Sequence, residues 1–273
     1  MKINYSASNL QTFLECPRKF ELKYLQKQIW PAIQTEPVLQ IEEHIKNGNL
    51  FHLMAQQFFT GISPDEILSQ TNNQILKDWW KSFLDFAKQF QNHQNQPEVF
   101  ISSTIKNRRI VGIYDLLVYS PGEKYFIIDW KTNNRKPGRQ ILEHHIQTRL
   151  YPLLLTLNGE QWNKNQKIEP FQIEMIYWFA NDPENPDSFV YSQQQFEDDL
   201  GFIGDLIGKI ESTKPNEFRL TDNEKMCNFC QYRSLCNRGI KPGKIDDKDT
   251  LDLEFLEEAI LDIDINQIGE ISI

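Results

Sequence analysis

Apolar residues recur at helical spacing from the start of the chain. Leu10, Phe13, Leu14, Phe20, Leu22 and Leu25 lie along one face, and Ser6 or Ser8 can cap it, so a helix is predicted over 6–27. A second helical pattern runs from about 37 to 60 and stops near Gly61. Ser63, Pro64, Asp65 and Glu66 then supply the cap, first-turn proline and first-turn acids of a third helix. The aromatic-rich stretch 78–90 predicts a fourth, and the polar run 91–98 reads as a connector.

Beyond it the pattern becomes that of strands. Short β-rich runs at 99–105, 110–119 and 125–130 are separated by turn residues at Asn107-Arg108 and Ser120-Pro121-Gly122-Glu123. An antiparallel meander follows naturally. A basic loop at 131–139 leads into a helix over about 139–157, a strand at 171–179, a short strand at 189–191 and a helix at 193–210. There is no internal repeat. The predicted fold is α+β, a mixed β-sheet flanked by helices. Its expected divisions are a helical region 1–95 packed on the sheet, a core 96–212, a cysteine-bearing helical subdomain 213–244 and a tail 245–273.

Composition changes this picture little. The 273 residues are 40% hydrophobic and 25% charged, an ordinary globular balance. No apolar run approaches the ~18–20 residues that span a bilayer, and the N-terminus lacks a signal-peptide core, so a cytoplasmic protein is expected. Charge is more informative. The net value of −9 resides in 245–273, where ten acids face one base; the rest carries 28 bases and 28 acids. The body is therefore neutral overall and can still hold a basic groove. In the tail, Leu253, Leu256, Ile260 and Ile263 have helical spacing. Such a helix either packs on the body, docks a partner, or competes with DNA for the basic loop.

Two constellations carry chemistry. Asp115 lies amid apolar residues in Gly112-Ile-Tyr-Asp115-Leu-Leu-Val118, and a buried carboxylate is costly unless paired or metal-bound. Asp129 and Lys131 end the apolar run Phe126-Ile-Ile-Asp129-Trp-Lys131-Thr132, and strand alternation puts both on one face. A hairpin brings Asp115 and Asp129 to one end of the sheet. There a hard cation would relieve their repulsion, the Trp130 carbonyl could add an oxygen, and Lys131 could offset charge developing on a phosphate. A structural ion pair is the plainer reading of Asp129 and Lys131. The second constellation is Cys227-x2-Cys230-x5-Cys236 with the remote Cys16. In a cytosolic chain four cysteines argue for a metal rather than disulfides, either an iron–sulfur cluster or tetrahedral Zn²⁺.

The run Gly-x-x-Asp115, a turn, then Ile-Ile-Asp129-x-Lys131-Thr resembles the core motif of the PD-(D/E)XK nuclease superfamily, in particular its RecB-like branch. The namesake "PD" is Tyr114-Asp115 here. Glu98 matches the acid that opens the branch's motif, Gln147-x-x-x-Tyr151 its Q-x-x-x-Y helix, and Gly48-x-x-x-His52 the helix whose His reaches the metal. Asn49, His52 and Gln56 would form a polar stripe beside it. The opening 8–24 and the four cysteines are similar to the cluster-bearing members, the AddB-type recombination nucleases and the CRISPR-adaptation exonucleases.

The resemblance implies a restriction-endonuclease-like fold and Mg²⁺- or Mn²⁺-dependent DNA cleavage, as an exonuclease on single-stranded or end-bearing DNA. It implies a metal held by His52, Asp115, Asp129 and the Trp130 carbonyl. Lys131 would act on the attacking water, and Gln147 and Tyr151 would support the substrate or Lys131. It also implies a 4Fe–4S cluster on Cys16, Cys227, Cys230 and Cys236, with structural Zn²⁺ as the alternative. Arg135, Lys136 and Arg139 would meet DNA phosphates, and Trp130, Tyr151 and Trp178 are candidates for stacking on bases. No Walker A sequence occurs, so helicase activity would come from a separate partner in repair, recombination or CRISPR adaptation. The competing reading is a non-catalytic DNA-binding or assembly module that retains the fold.

Overall fold

The computed structural model describes residues 3–28, 36–133, 135–228 and 230–239. The acidic tail and its expected helix lie outside the described residues. Five strands form one sheet in the order β1-β2-β3-β4-β5: β1 Gln94–Ile105, β2 Arg108–Ser120, β3 Lys124–Lys131, β4 Ile173–Phe179 and β5 Asp187–Val190. All neighbours are antiparallel except β3 and β4, whose parallel pairing needs a crossover. That crossover contains two helices, α6 Arg139–His144 and α7 Ile146–Asn158; we number the earlier and later helices to match.

The first hairpin turns at Lys106-Asn107, both at positive φ, which suits a two-residue turn between twisted strands. This is one residue earlier than the sequence reading. The connector expected at 91–98 is half strand, because Gln94–Pro97 pair with Leu116–Tyr119. Polar residues are pulled into the ladder by the length of their partner, a tertiary effect that local propensity does not record.

The helix expected over 6–27 is broken. Helix α1 (Ala7–Glu15) starts from Ser6 in a capping box with Asn9 and ends at Cys16, whose backbone is extended. Pro17 is the cause: its ring disfavours helical geometry at the residue before it. Cys16 then caps α2 (Pro17–Phe20), its Sγ accepting from Lys19 N at 3.4 Å, and a π-turn follows at Glu21–Leu25. The helix expected at 139–157 also divides, at His145, into α6 and α7. Helices α3 (Glu36–Phe59), α4 (Pro64–Ser69), α5 (Gln74–Ala87) and α8 (Gln193–Ser212) complete the set of α-helices among the described residues. Among the described residues between 213 and 239, helical structure is confined to 3₁₀ turns at Glu224–Cys227 and Arg233–Cys236.

Strand alternation separates two cores. On one side α1, α7 and α8 bury Leu10, Phe13, Leu150, Leu154, Ile203 and Ile207 against Ile127 and Tyr177. On the other, α3 and α5 pack Phe51, Phe58, Trp79, Trp80 and Phe83 against Ile128, Trp130 and Trp178. The second core is built of rings: Phe51 stacks on Trp178 at 5.7 Å, and Phe83 meets Trp130 edge-on at 5.3 Å. Trp130, Tyr151 and Trp178, the candidates for base stacking, are buried core residues. The indole N–H groups of Trp130 and Trp178 have no hydrogen-bond partner there, so ring packing outweighs the cost of those buried donors.

Candidate functional site

The second hairpin sets the site. Its last ladder pair is Leu116↔Ile128, so the next rung consists of Asp115 and Asp129. Both are buried. Asp115 Oδ2 accepts a hydrogen bond from Trp130 N at 2.9 Å, which ties the carboxylate to the neighbouring strand.

The same rung is irregular in β1 and β2. Before Asp115, Ile110 and Tyr114 face the α7 core; after it, Leu116 and Val118 face the α3 core. Alternation has slipped by one residue. In β1 the pairs Pro97↔Leu116 and Val99↔Tyr114 flank a rung where Glu98 stands opposite Asp115 without pairing. Glu98 has φ 50°, a conformation costly for a residue with a side chain. The paired irregularity places two carboxylates together.

His52 joins them from α3. Its Nδ1 lies 3.3 Å from Asp115 Oδ1, and one ligand atom from each of His52, Glu98 and Asp115 lies within 4.8 Å of the others. Burial and then the Asp115 charge push the Glu98 carboxyl up to about 7. Burial disfavours charge on His52, but Asp115 and then Asp129 outweigh it and raise the imidazole pKa. Two crowded acids and an imidazole are a donor set that a hard divalent cation fits, since it offsets the repulsion that raises Glu98.

Asp129 turns toward α7 at the end of the sheet, where its charge still acts on His52 and Glu98. Lys131 Nζ is 2.9 Å from Asp129 Oδ1. Gln147 clips the pair: its Nε2 donates to Asp129 Oδ2 at 2.5 Å and its Oε1 accepts from Lys131 Nζ at 2.9 Å. Tyr151 lies one turn along α7 on the same face, and burial followed by the Asp129 charge raises its phenol pKa. Lys131 Nζ also sits 5.8 Å above the ring of Tyr177, the register partner of Asp129 on β4.

Helix α3 approaches β3 closely at Gly48. A Cβ there would lie 2.8 Å from Thr132 Oγ1, inside any normal contact. The expected polar stripe is incomplete, because Asn49 is exposed on the solvent side of α3, whereas His52 and Gln56 are half-buried.

The basic loop has acidic partners. Lys136 pairs with Asp187 at 2.8 Å and Asp182 at 3.4 Å, and Arg139 donates to Asp187 at 3.1 Å and to Ser188 O at 2.7 Å. These bonds tie Lys136 and Arg139 to β5 and the loop before it, and their charge is already offset there. Arg135 is exposed.

The cysteines converge. Cys230 packs with Leu22, Tyr232 and Cys236 in a small apolar cluster. Burial raises the pKa of Cys227, Cys230 and Cys236, and the neighbouring thiols, Cys16 among them, raise it further. All four thiols are free. Hydrogen bonds fasten the C-terminal segment to α2, the π-turn and the residues after it: Arg18 N to Arg219 O at 2.9 Å, Asn216 N to Glu21 Oε1 at 2.5 Å, and Tyr232 Oη to Gln28 O at 3.0 Å.

The sequence reading left Glu98 out of the metal set. The turn at Lys106-Asn107 would have found it, because that register puts Glu98 opposite Asp115; a turn one residue later puts Phe100 there. Tyr177 and the close approach at Gly48 depend on packing between distant segments and leave no local signal.

A sequence model of the PD-(D/E)XK nuclease superfamily matches residues 4–237. Among solved structures, a protein of Eubacterium rectale provisionally named an exonuclease superposes with a TM-score of 0.52 at 11% identity, covering 90% of this chain and 92% of its own. That likeness is one of fold. The structure of SSO0001 covers 87% of this chain and 87% of its own at 14% identity, with a TM-score of 0.43, too low to bear on the argument. No curated protein matches.

Proposed function

The chain belongs to the PD-(D/E)XK nuclease superfamily, and on that premise we propose that it hydrolyses DNA phosphodiester bonds with Mg²⁺ or Mn²⁺ at the Asp115–Asp129 end of the sheet. The observation that carries this reading is the meeting of His52, Glu98 and Asp115 with the Asp129–Lys131–Gln147 clip. His52, Glu98, Asp115 and Asp129 would hold the metal, with the Trp130 carbonyl as a further oxygen. When bound, the ion supplies Lewis-acid stabilisation of phosphoryl oxygen.

The chain's own residues do the rest. Lys131 Nζ orients the attacking water and offsets charge on the phosphate in the transition state. Gln147 fixes Lys131 against Asp129, and Tyr151 packs on the same face of α7 one turn along. The substrate we propose is single-stranded or end-bearing DNA, cut exonucleolytically. The pathway would be repair, recombination or CRISPR adaptation in the cytoplasm, with any helicase a separate protein. Among the described residues, no helix is long and apolar enough to cross a membrane. Arg135, Lys136 and Arg139 remain candidates for phosphate contact, with Lys136 and Arg139 exchanging Asp187 for phosphate. The intact Asp115, Asp129 and Lys131 speak against a non-catalytic module.

We further assign a 4Fe–4S cluster to Cys16, Cys227, Cys230 and Cys236, on the pattern of the RecB-like branch. Four free thiols gathered between α2 and the C-terminal segment support it, and structural Zn²⁺ is the alternative.

Cleavage of end-labelled single and double strands tests the function. Product is expected with Mg²⁺ or Mn²⁺, none with chelator, and faster loss of end label than of internal label. Equal cleavage in chelator would end the metal mechanism.

Gly48→Ala is expected to lower cleavage at least about 10-fold, because the added Cβ forces α3 away from β3 and shifts His52. Adding Thr132→Ala removes the clashing hydroxyl and should recover most of the loss. A double variant as impaired as Gly48→Ala alone would mean that the space at Gly48 is not what matters.

A further inference from the structure

Helix α7 carries Gln147 and Tyr151 but is poorly held by its own backbone. It has no side-chain cap at its start, and Pro152 lies inside it. Proline has no N–H, so the carbonyl of Thr148, four residues earlier, loses its helical donor. Bonds from other elements also fasten this helix. Gln11 Oε1 accepts from Ile146 N at 3.3 Å, and Thr148 Oγ1 bonds Tyr177 Oη at 2.8 Å. Fully buried Tyr114 on β2 holds the next turn: its Oη donates to Tyr151 O at 2.8 Å. The two tyrosine rings lie 5.0 Å apart. Gly112, two residues earlier on the same face, makes the approach possible, since a Cβ there would sit 3.2 Å from Tyr151 Cε1 and 3.1 Å from Leu154 Cδ1.

We propose that Tyr114 is a positioning residue of the reaction: its phenol holds α7 by the Tyr151 carbonyl and so sets Gln147 between Asp129 and Lys131. Tyr114 occupies the place of the proline in the superfamily's namesake pair, and proline has no donor for this bond. One strand then carries both halves of the site. Asp115 points to the cation donors, and the residue before it fixes the helix that clips Lys131. A small shift of α7 misplaces the Gln147 amide, and geometric errors of this kind act on the transition state more than on substrate binding.

This inference rests on the nuclease reading, and the experiment keeps the two apart. Cleavage kinetics are measured for the full chain, Tyr114→Phe, Gln147→Ala and the double variant, with melting temperatures in parallel. Tyr114→Phe keeps the ring and removes only the donor. It is expected to lower kcat about 3- to 10-fold with KM within about 2-fold. In the Gln147→Ala background the same change should cost less than about 2-fold, because the group it positions is gone. An unchanged kcat in Tyr114→Phe, or equal losses in both backgrounds, would overturn the proposal; a lower melting temperature with unchanged kcat would make Tyr114 structural only. If Tyr114→Phe does not fold, 3-fluorotyrosine at position 114 alters donor strength while keeping the hydroxyl. A kcat change that vanishes with Gln147→Ala then supports the proposal, and no change overturns it. An unmodified protein that cuts nothing would instead remove the nuclease reading itself.

Discussion

Lys131→Ala is expected to lower the cleavage rate by more than about 100-fold while DNA binding persists. The ammonium sits 2.9 Å from Asp129 and is held by the Gln147 carbonyl at the end of β3. Its removal takes away the charge that meets the developing phosphate anion. Lys131→Arg should not restore the rate, because a planar guanidinium cannot place one charged donor where Nζ sits. Binding is expected to survive because one residue of the cluster supplies few of the phosphate contacts. A gel-shift titration beside a single-turnover assay separates the two effects. A Lys131→Ala protein that cuts at the normal rate would remove this mechanism and point to a contaminating nuclease.

Loss of Cys16 is expected to have the second-largest effect, on stability. Anaerobically purified protein should be brown, absorbing broadly near about 400 nm, with about four irons per chain. Cys16 stands at the break between α1 and α2, more than 200 residues before its partners in the sequence. A cluster on the four thiols would close that long loop and add to the bonds that Arg18, Glu21 and Gln28 make with the C-terminal segment. Because metal binding of this kind is coupled to folding, Cys16→Ala should lower Tm by roughly 10 °C or more and bleach the protein. Colourless protein with one zinc per chain would favour the zinc site. Metal-free protein with an unchanged Tm would sink both readings.

The candidate site residues within one element could be read along the chain. Asp129 and Lys131 share a face because strands alternate, and Gln147 and Tyr151 share one because four residues make about a turn. Asp115 could be placed beside Asp129 because a short turn joins their strands. The break at Cys16 was also written locally, in Pro17, but apolar periodicity on both sides masked it. In each case the deciding interaction spans a few residues, and backbone geometry alone carries it.

Contacts between distant segments decided the rest. Glu98 enters the site because two strands lose alternation at the same rung, and a slip of that kind is fixed by the cores that each strand must face. Gln94–Pro97 became strand because a longer partner offered hydrogen bonds to polar residues that would otherwise stay solvated. Lys136 and Arg139 read as a free basic run, yet Asp182 and Asp187, over 40 residues away, sit against them. Trp130 and Trp178 read as candidates for stacking on bases, yet α3 and α5 cover them. Sequence alone therefore determined which residues stand on the same strand or helix face, because chirality and hydrogen-bond geometry fix those periods. Only the tertiary structure decided which charges are offset, which rings are buried and which carboxylates stand together, because those depend on the distances between elements that packing sets.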